Sequence, residues 1–132
     1  MLYKQFKELE LSSLGFGTMR LPLIPGGKDK DIDQEELDRM VDCAIAGGVN
    51  YFDTAYPYHG GCSELAIGKS LARYPRESFY LADKFPGHQI VKGVKKLDPE
   101  TIFEEQLKKC GVEYFDFYLL HNINEHSMSY YL

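Results

Sequence analysis

Residues 49–64 read VNYFDTAYPYHGGCSE, and the interpretation of the whole chain starts from this stretch. Residues 49–52 are mostly β-branched or aromatic, which predicts a short buried strand, and Asp53 stands where that strand should end. Two glycines, Gly60 and Gly61, then form a turn before a helix. An acid in this position can simply cap the following loop, so its role depends on what the other strands carry at their ends.

Two later strands end in the same way. Residues 79–84 form an apolar run that closes on a lysine, and residues 115–121 form one that closes on a histidine. In a parallel sheet joined by helices, the carboxyl ends of the strands lie on one face, where ligands bind. A tyrosine five positions after the first acid should overhang that face. The side chains expected together there are Asp53, Tyr58, Lys84 and His121.

The first helix is predicted by its two ends and by its apolar stripe. Asp33 and Glu36 have the spacing of a capping box, and Gly47 and Gly48 supply the stop. Apolar residues recur at helical spacing between these ends. They are Leu37, Met40, Val41, Ala44 and Ile45.

Two further helices follow the second and third strands. One runs from Ser63 to about Arg73, and the other begins at Asp98, with Pro99 in its first turn, and stops at Gly111. The residues of the last helix expected to face inward are Ile102, Phe103, Leu107 and Cys110.

The order of elements predicts an α/β fold. Residues 2–11 alternate loosely and suit a short strand or hairpin, and residues 13–21 read as the first core strand. Core strands starting near positions 14, 49, 79 and 115 repeat a βα unit four times. Four units make half of a TIM (β/α)8 barrel, which needs about 250 residues. We therefore expect residues 1–132 to form a parallel (β/α) half barrel without an internal domain boundary, in a chain that stops midway.

Composition narrows the classes of function. The net charge of −5 and the lack of a Lys/Arg-rich stripe argue against nucleic-acid partners and against an acidic membrane. No apolar run approaches the roughly 18 residues of a membrane span. Cys43, Cys62 and Cys110 lack disulfide or zinc spacing, so we expect no metal, reduced thiols and a cytoplasmic location.

Two phosphate-binding alternatives have little support. Gly15 and Gly17 begin a G-x-G-x-x-G motif, but Arg20 replaces the third glycine and prolines follow in place of a helix. An open α/β sheet that binds a phosphate ligand would have to use Gly60 and Gly61 as its anion site, and no lysine pattern supports that.

The same residues resemble the N-terminal half of an aldo-keto reductase. The resemblance is carried by residues 14–20 (LGFGTMR), residues 50–55 (NYFDTA), and residues 119–121 (LLH), together with Tyr58, Ser63, Glu64 and Lys84. It covers nearly the whole chain and includes four chemically distinct positions. Residues 19–22 (MRLP) are similar to a subgroup whose longer members carry a C-terminal iron–sulfur region, although this chain has no such cysteine cluster.

The resemblance implies NADP(H)-dependent reduction of small aldehyde or ketone carbonyls. It makes Tyr58 the proton donor, Lys84 and Asp53 its ion-paired neighbours, and His121 the residue that orients the carbonyl. It also implies that the nicotinamide cofactor contacts Gly17, Thr18, Met19 and Asp53, with most of its site in the absent half of the barrel.

Several alternatives stay open on the sequence. The chain can be a truncated fragment, or a non-catalytic regulatory subunit on a reductase scaffold. Two copies can also associate through the exposed edges of the half barrel. Tyr56 competes with Tyr58 if the loop register differs by two, and His59, His88 and His126 are interpreted as surface or loop histidines.

Overall fold

The computed structural model describes residues 1–91 and 98–132. Residues 92–97, which fall between the predicted third core strand and the predicted last helix, therefore lie outside the described part of the chain. The strands and helices in chain order are β1 (Tyr3–Phe6), β2 (Leu9–Ser12), β3 (Phe16–Gly17), α1 (Gln34–Ala46), β4 (Tyr51–Asp53), α2 (Ser63–Leu71), β5 (Tyr80–Phe85), α3 (His88–Val91), α4 (Pro99–Cys110) and β6 (Phe117–Leu120).

A four-stranded parallel sheet with the order β3-β4-β5-β6 forms the centre of the chain. Each strand lies beside the next one in sequence, and a helix connects each pair. This confirms the predicted α/β fold with four parallel strands joined by helices. In the register of β4 and β5, Asp53 lies opposite Ala82. Lys84 is two positions beyond Ala82 and therefore projects from the same face as Asp53.

The main core lies between this sheet and helices α1, α2 and α4. Phe52 and Leu81 project from the strands and are completely buried, as are Leu37 and Val41 of α1 and Ile67 of α2. Apolar burial on this side stabilises the layer by roughly 1.5–3 kcal/mol per large side chain. The three helices therefore cover this face of the sheet and exclude solvent from it.

The opposite face of the sheet is more open. The predicted hairpin forms as β1 and β2, and the Phe6 ring lies 5.8 Å from Phe117 of β6, which also contacts Tyr51. Within the described residues, β3 and β6 are the edge strands. Leu119 and Leu120 of β6 are 42% and 47% exposed. Self-association through these edges stays a prediction.

The predicted helix ends are confirmed. The Asp33 carboxylate accepts from the Glu36 amide at 3.0 Å, and the Asp98 carboxylate accepts from the Thr101 amide at 2.9 Å. Gly111 ends α4 in the left-handed region with φ of 66°. The second half of the capping box does not form, because the Glu36 carboxylate accepts from Arg39 instead.

Two predictions from the sequence are wrong in detail. Residues 13–21 do not form a continuous strand, since only Phe16–Gly17 pairs with β4. The neighbouring strand β4 ends at Asp53, whose carbonyl accepts from the Thr18 amide. The residues after Thr18 therefore have no further residue of β4 to pair with. Met40 was assigned to the buried stripe of α1 but is 37% exposed, because the contact with the sheet is narrower than the stripe.

Candidate active site

Lys84 and Asp53 form an ion pair at the carboxyl ends of β5 and β4. The Lys84 ammonium donates to Asp53 Oδ2 at 2.7 Å and to the Thr54 carbonyl at 2.7 Å. Adjacent parallel strands bring these side chains to the same face, as expected from their positions at the strand ends. The lysine is thus held by two oxygens while it remains at the open end of the sheet.

Tyr58 is the tyrosine that lies next to this pair. The Lys84 ammonium is 5.0 Å from the centroid of its ring. The chain reverses immediately after Tyr58, where His59 and Gly60 both have positive φ. Tyr56 turns the other way and contacts the α4 side, where Lys109 lies over its ring at 4.8 Å. The structure thus places Tyr58 beside the lysine and Tyr56 away from it.

His121 completes the group. Its ring contacts the Tyr58 ring edge to face, with centroids 5.8 Å apart. Burial lowers the pKa of His121 to about 4, and the positive charges of His88 and Lys84 act in the same direction. The imidazole is therefore neutral at neutral pH, with one nitrogen able to donate a hydrogen bond.

His88 lies against the site, although the sequence suggested a surface or loop histidine. Its ring is 4.5 Å from that of His121. The Tyr131 hydroxyl accepts from the His88 amide at 3.1 Å and donates to the His121 carbonyl. The segment after β6 therefore folds back and holds the backbone of both histidines.

The segment predicted to contact a cofactor lies beside Asp53. Gly17 pairs with Asp53 in the sheet, and a Cβ built on Gly17 would meet nothing within 4 Å, so space is open in front of it. Met19 is 60% exposed. Thr18 is buried, and its hydroxyl donates to the Asp53 carbonyl and accepts from Ser63 at 2.7 Å. The Thr18 side chain therefore braces the end of β4 from the helical side.

A buried polar network behind β5 was missed by the sequence analysis. Glu64, Asp83 and Gln106 are completely buried. Gln106 donates to Glu64 Oε1 at 2.8 Å and to the Lys84 carbonyl at 3.0 Å, while Lys109 pairs with Glu64. Gln106 lies four residues after Ile102 and four before Cys110, so a polar residue inside the apolar stripe of α4 was the available signal.

Asp83 points away from the candidate site, as strand alternation predicts. Its Oδ1 accepts from the Lys84 amide at 2.8 Å, and its other oxygen lies near the Cys110 thiol. Burial, followed by the neighbouring Glu64 carboxylate, raises the pKa of Asp83 well above its usual range. Asp83 beside the Glu64 carboxylate therefore keeps its proton at neutral pH.

Among residues 1–91 and 98–132, no cluster of three or more His, Cys, Asp or Glu side chains could hold a metal ion. Within the same residues, none of the helices has the length and apolar character needed to cross a membrane.

Sequence comparisons agree on one family. Residues 13–129 match the Aldo/keto reductase family. A probable aldo-keto reductase from Glycine max is 32% identical over 87% of this chain and 34% of its own length. The NADH-specific methylglyoxal reductase of Escherichia coli (strain K12) is 30% identical over 86% of this chain and 39% of its own. The chain thus spans less than half of each curated relative.

Solved structures give the same fold. A thermostable aldo-keto reductase crystallised with the inhibitor epalrestat is 29% identical, with a TM-score of 0.70 over 99% of this chain and 48% of that one. An aldo-keto reductase from Klebsiella pneumoniae in complex with NADPH is 20% identical, with a TM-score of 0.69 over 98% of this chain and 44% of that one. At 20% identity, the second likeness concerns the fold alone.

Proposed function

The chain belongs to the aldo/keto reductase family, and we propose that it supplies the catalytic residues of an enzyme that reduces aldehyde or ketone carbonyls with NADP(H). One observation carries this proposal. The Lys84 ammonium lies between the Asp53 carboxylate and the Tyr58 ring, and His121 contacts that ring from the side. An ammonium, a phenol and a neutral imidazole thus converge at the open end of the sheet.

Tyr58 acts as the proton donor in this proposal. Carbonyl reduction places negative charge on the substrate oxygen, and a donor already in position stabilises that charge. As the Tyr58 oxygen gives up its proton, the Lys84 ammonium stabilises the negative charge that develops on it. Asp53 and the Thr54 carbonyl hold Lys84 in place. In this proposal Tyr58, Lys84 and Asp53 therefore act together as the general acid.

His121 orients the substrate in this proposal. Because the His121 imidazole is neutral, its N–H can donate a hydrogen bond to the carbonyl oxygen without placing a second positive charge near Lys84. Its amide donates to the Phe85 carbonyl at 3.0 Å, which fixes the residue at the end of β6. The substrate oxygen would then sit between the Tyr58 hydroxyl and the His121 imidazole.

A nicotinamide cofactor fits the residues beside Asp53. When bound, its reduced ring supplies the hydride. Open space at Gly17 and the exposed Met19 leave room for a flat ring next to Asp53, while buried Thr18 holds the segment from behind. We assign most other cofactor contacts to the second half of the barrel, since the solved relatives are about twice as long. NADP(H) stays a proposal, because one relative is named as NADH-specific.

The decisive variant is Tyr58→Phe, tested in this chain and in the chain joined to the second half of a related reductase barrel. We expect turnover of a simple aldehyde to fall by roughly 10²–10⁴-fold, the usual contribution of a positioned acid. Affinity for the reduced cofactor, measured by fluorescence titration with and without the 2′-phosphate, should be unchanged.

Tyr56→Phe is the matched control, because it removes the same atom from a tyrosine that faces α4. Its turnover should stay close to the parental value. Equal turnover in Tyr58→Phe and the parent would exclude Tyr58 as the donor, and equal losses in both variants would show that the effect is not local.

A further inference from the structure

His59 follows Tyr58 directly, and its backbone lies in the left-handed region with φ of 53°. A residue with a Cβ adopts this conformation only where its surroundings compensate for the strain. The side chain is only 4% exposed, which corrects its interpretation as a surface or loop histidine. Its contacts must therefore hold this turn.

Both ring nitrogens of His59 are engaged by the loop of residues 21–29. The Leu21 amide donates to Nε2 at 2.9 Å, and Nδ1 lies 2.7 Å from the Asp29 carbonyl. Because an amide can only donate, Nε2 must be the unprotonated nitrogen, and Nδ1 must carry the hydrogen that the Asp29 carbonyl accepts. One neutral tautomer satisfies both bonds.

These bonds connect two segments of the candidate site. Leu21 follows the exposed Met19 by two residues, and Tyr58 precedes His59. The turn is also packed from outside, since a Cβ built on Gly60 would meet the Lys30 side chain at 2.5 Å. The loop and the Tyr58 turn therefore contact each other through one buried ring and one lysine stem.

We propose that neutral His59 is a positioning residue that sets the Tyr58 turn and the Met19 segment relative to each other. The inference rests on the proposed function, because it concerns the donor and the cofactor segment of that same site. The histidine touches neither substrate nor cofactor. It acts through the backbone of Tyr58 on one side and of Leu21 on the other.

Protonation of the His59 ring affects its two hydrogen bonds differently. A second proton on His59 places an N–H at Nε2, opposite the Leu21 N–H, and that bond is lost. The Asp29 carboxylate, with Oδ1 3.2 Å from Nδ1, keeps the other contact, and Lys30 is the further charged side chain packed on the turn. A second proton on His59 therefore breaks the bond to residue 21 and leaves the contact with residue 29.

The first test is ¹⁵N NMR of the His59 ring in the full chain. We expect the tautomer with hydrogen on Nδ1 at neutral pH, and a shift of the Leu21 amide signal that follows the protonation of His59. A hydrogen on Nε2, or protonation without a response at Leu21, would overturn the proposal. This measurement requires no reductase activity, so it stands apart from the proposed function.

The second test uses three substitutions. His59→Asn can still donate to Asp29 but cannot reach Leu21, whereas an amide oxygen in His59→Gln reaches as far as Nε2. His59→Gly removes both bonds and relieves the backbone strain. We expect the Asn variant to lose roughly tenfold in turnover or cofactor affinity, the effect of one lost hydrogen bond. The Gly variant should lose at least as much, and Gln should recover part of the Asn loss.

Urea midpoints separate positioning from unfolding. Loss of turnover in His59→Gly with an unchanged midpoint would support the proposal, whereas parental turnover and affinity in both the Asn and Gly variants would overturn it. If the parental chain joined to the second half of a related reductase barrel shows neither cofactor binding nor reduction, the proposed function fails. In that case the NMR signal of the Tyr58 amide tests the positioning role separately. If His59→Asn leaves this signal unchanged, His59 does not position Tyr58.

Discussion

The two faces of β5 differ although their residues alternate along one strand. Lys84 projects toward the open end of the sheet, where it contacts Asp53 and Tyr58. Asp83, the preceding residue, is fully buried under α2 and α4 among Glu64, Gln106 and Cys110. The open face thus carries a charged lysine at the candidate site, whereas the polar side chains of the closed face have their partners inside the protein.

The difference shows how one strand can hold a lysine at the open face without losing its own position. The Lys84 amide donates to Asp83, and the Lys84 carbonyl accepts from Gln106. Both backbone groups of the lysine are thus fixed from the closed face. The side chain is free to act on the open face because the backbone is held from behind.

The largest effect is expected on the open face. Lys84→Met removes the ammonium beside Tyr58 and keeps most of the apolar stem. Under the proposed function, carbonyl turnover of the chain joined to the second half of a reductase barrel should fall by roughly 10²–10⁴-fold, because the proposed donor loses the charge that stabilises its anion. The midpoint of thermal unfolding should change little. A variant that keeps parental turnover would break the assignment of chemistry to this face.

A smaller effect, on stability instead of turnover, is expected on the closed face. Glu64→Leu leaves Lys109 and a Gln106 donor without their buried partner. Breaking one side of a buried pair costs about 3–5 kcal/mol, which urea unfolding would measure. Glu64→Gln, which keeps an acceptor, is the control and should cost less. Equal stability of Glu64→Leu and the parent would mean that the network does not hold the strand.

The smallest expected effect is a pH dependence of opposite sign on the two faces. The pKa of Asp83 is raised in the folded chain, so unfolding releases its proton and stability falls as pH rises above the usual carboxyl value of 3.8. Asp83→Asn imitates the protonated acid and keeps a donor toward Glu64. We expect it to gain about 1–2 kcal/mol on the parent at alkaline pH in urea unfolding, with little gain in acid.

His121→Gln is the matched control from the open face. The pKa of His121 is lowered from 6.5 to about 4, so the unfolded chain takes up the proton first and stability falls as pH drops between these values. The variant should flatten this acid limb and leave the alkaline limb unchanged. Parallel pH profiles for the two variants would contradict the comparison of the faces.

Much of the fold could be predicted from local signals. Asp33 and Asp98 cap the helices predicted from them, because a short acid before a helix bonds the free amides of its first turn. The core strands begin within two residues of the predicted positions. The first strand was predicted too long, since its sequence does not show that the neighbouring ladder stops at Asp53.

The sequence by itself determined the βα order and the three side chains at the strand ends, because strand alternation and helix capping depend on neighbours only a few residues away. Only the tertiary structure decided that Tyr58 and not Tyr56 lies by Lys84, that His59 bonds Leu21 and Asp29, and that Gln106 holds the Lys84 carbonyl. These contacts join residues 22 to 38 positions apart, and their hydrogen bonds form only once the sheet has brought distant segments together.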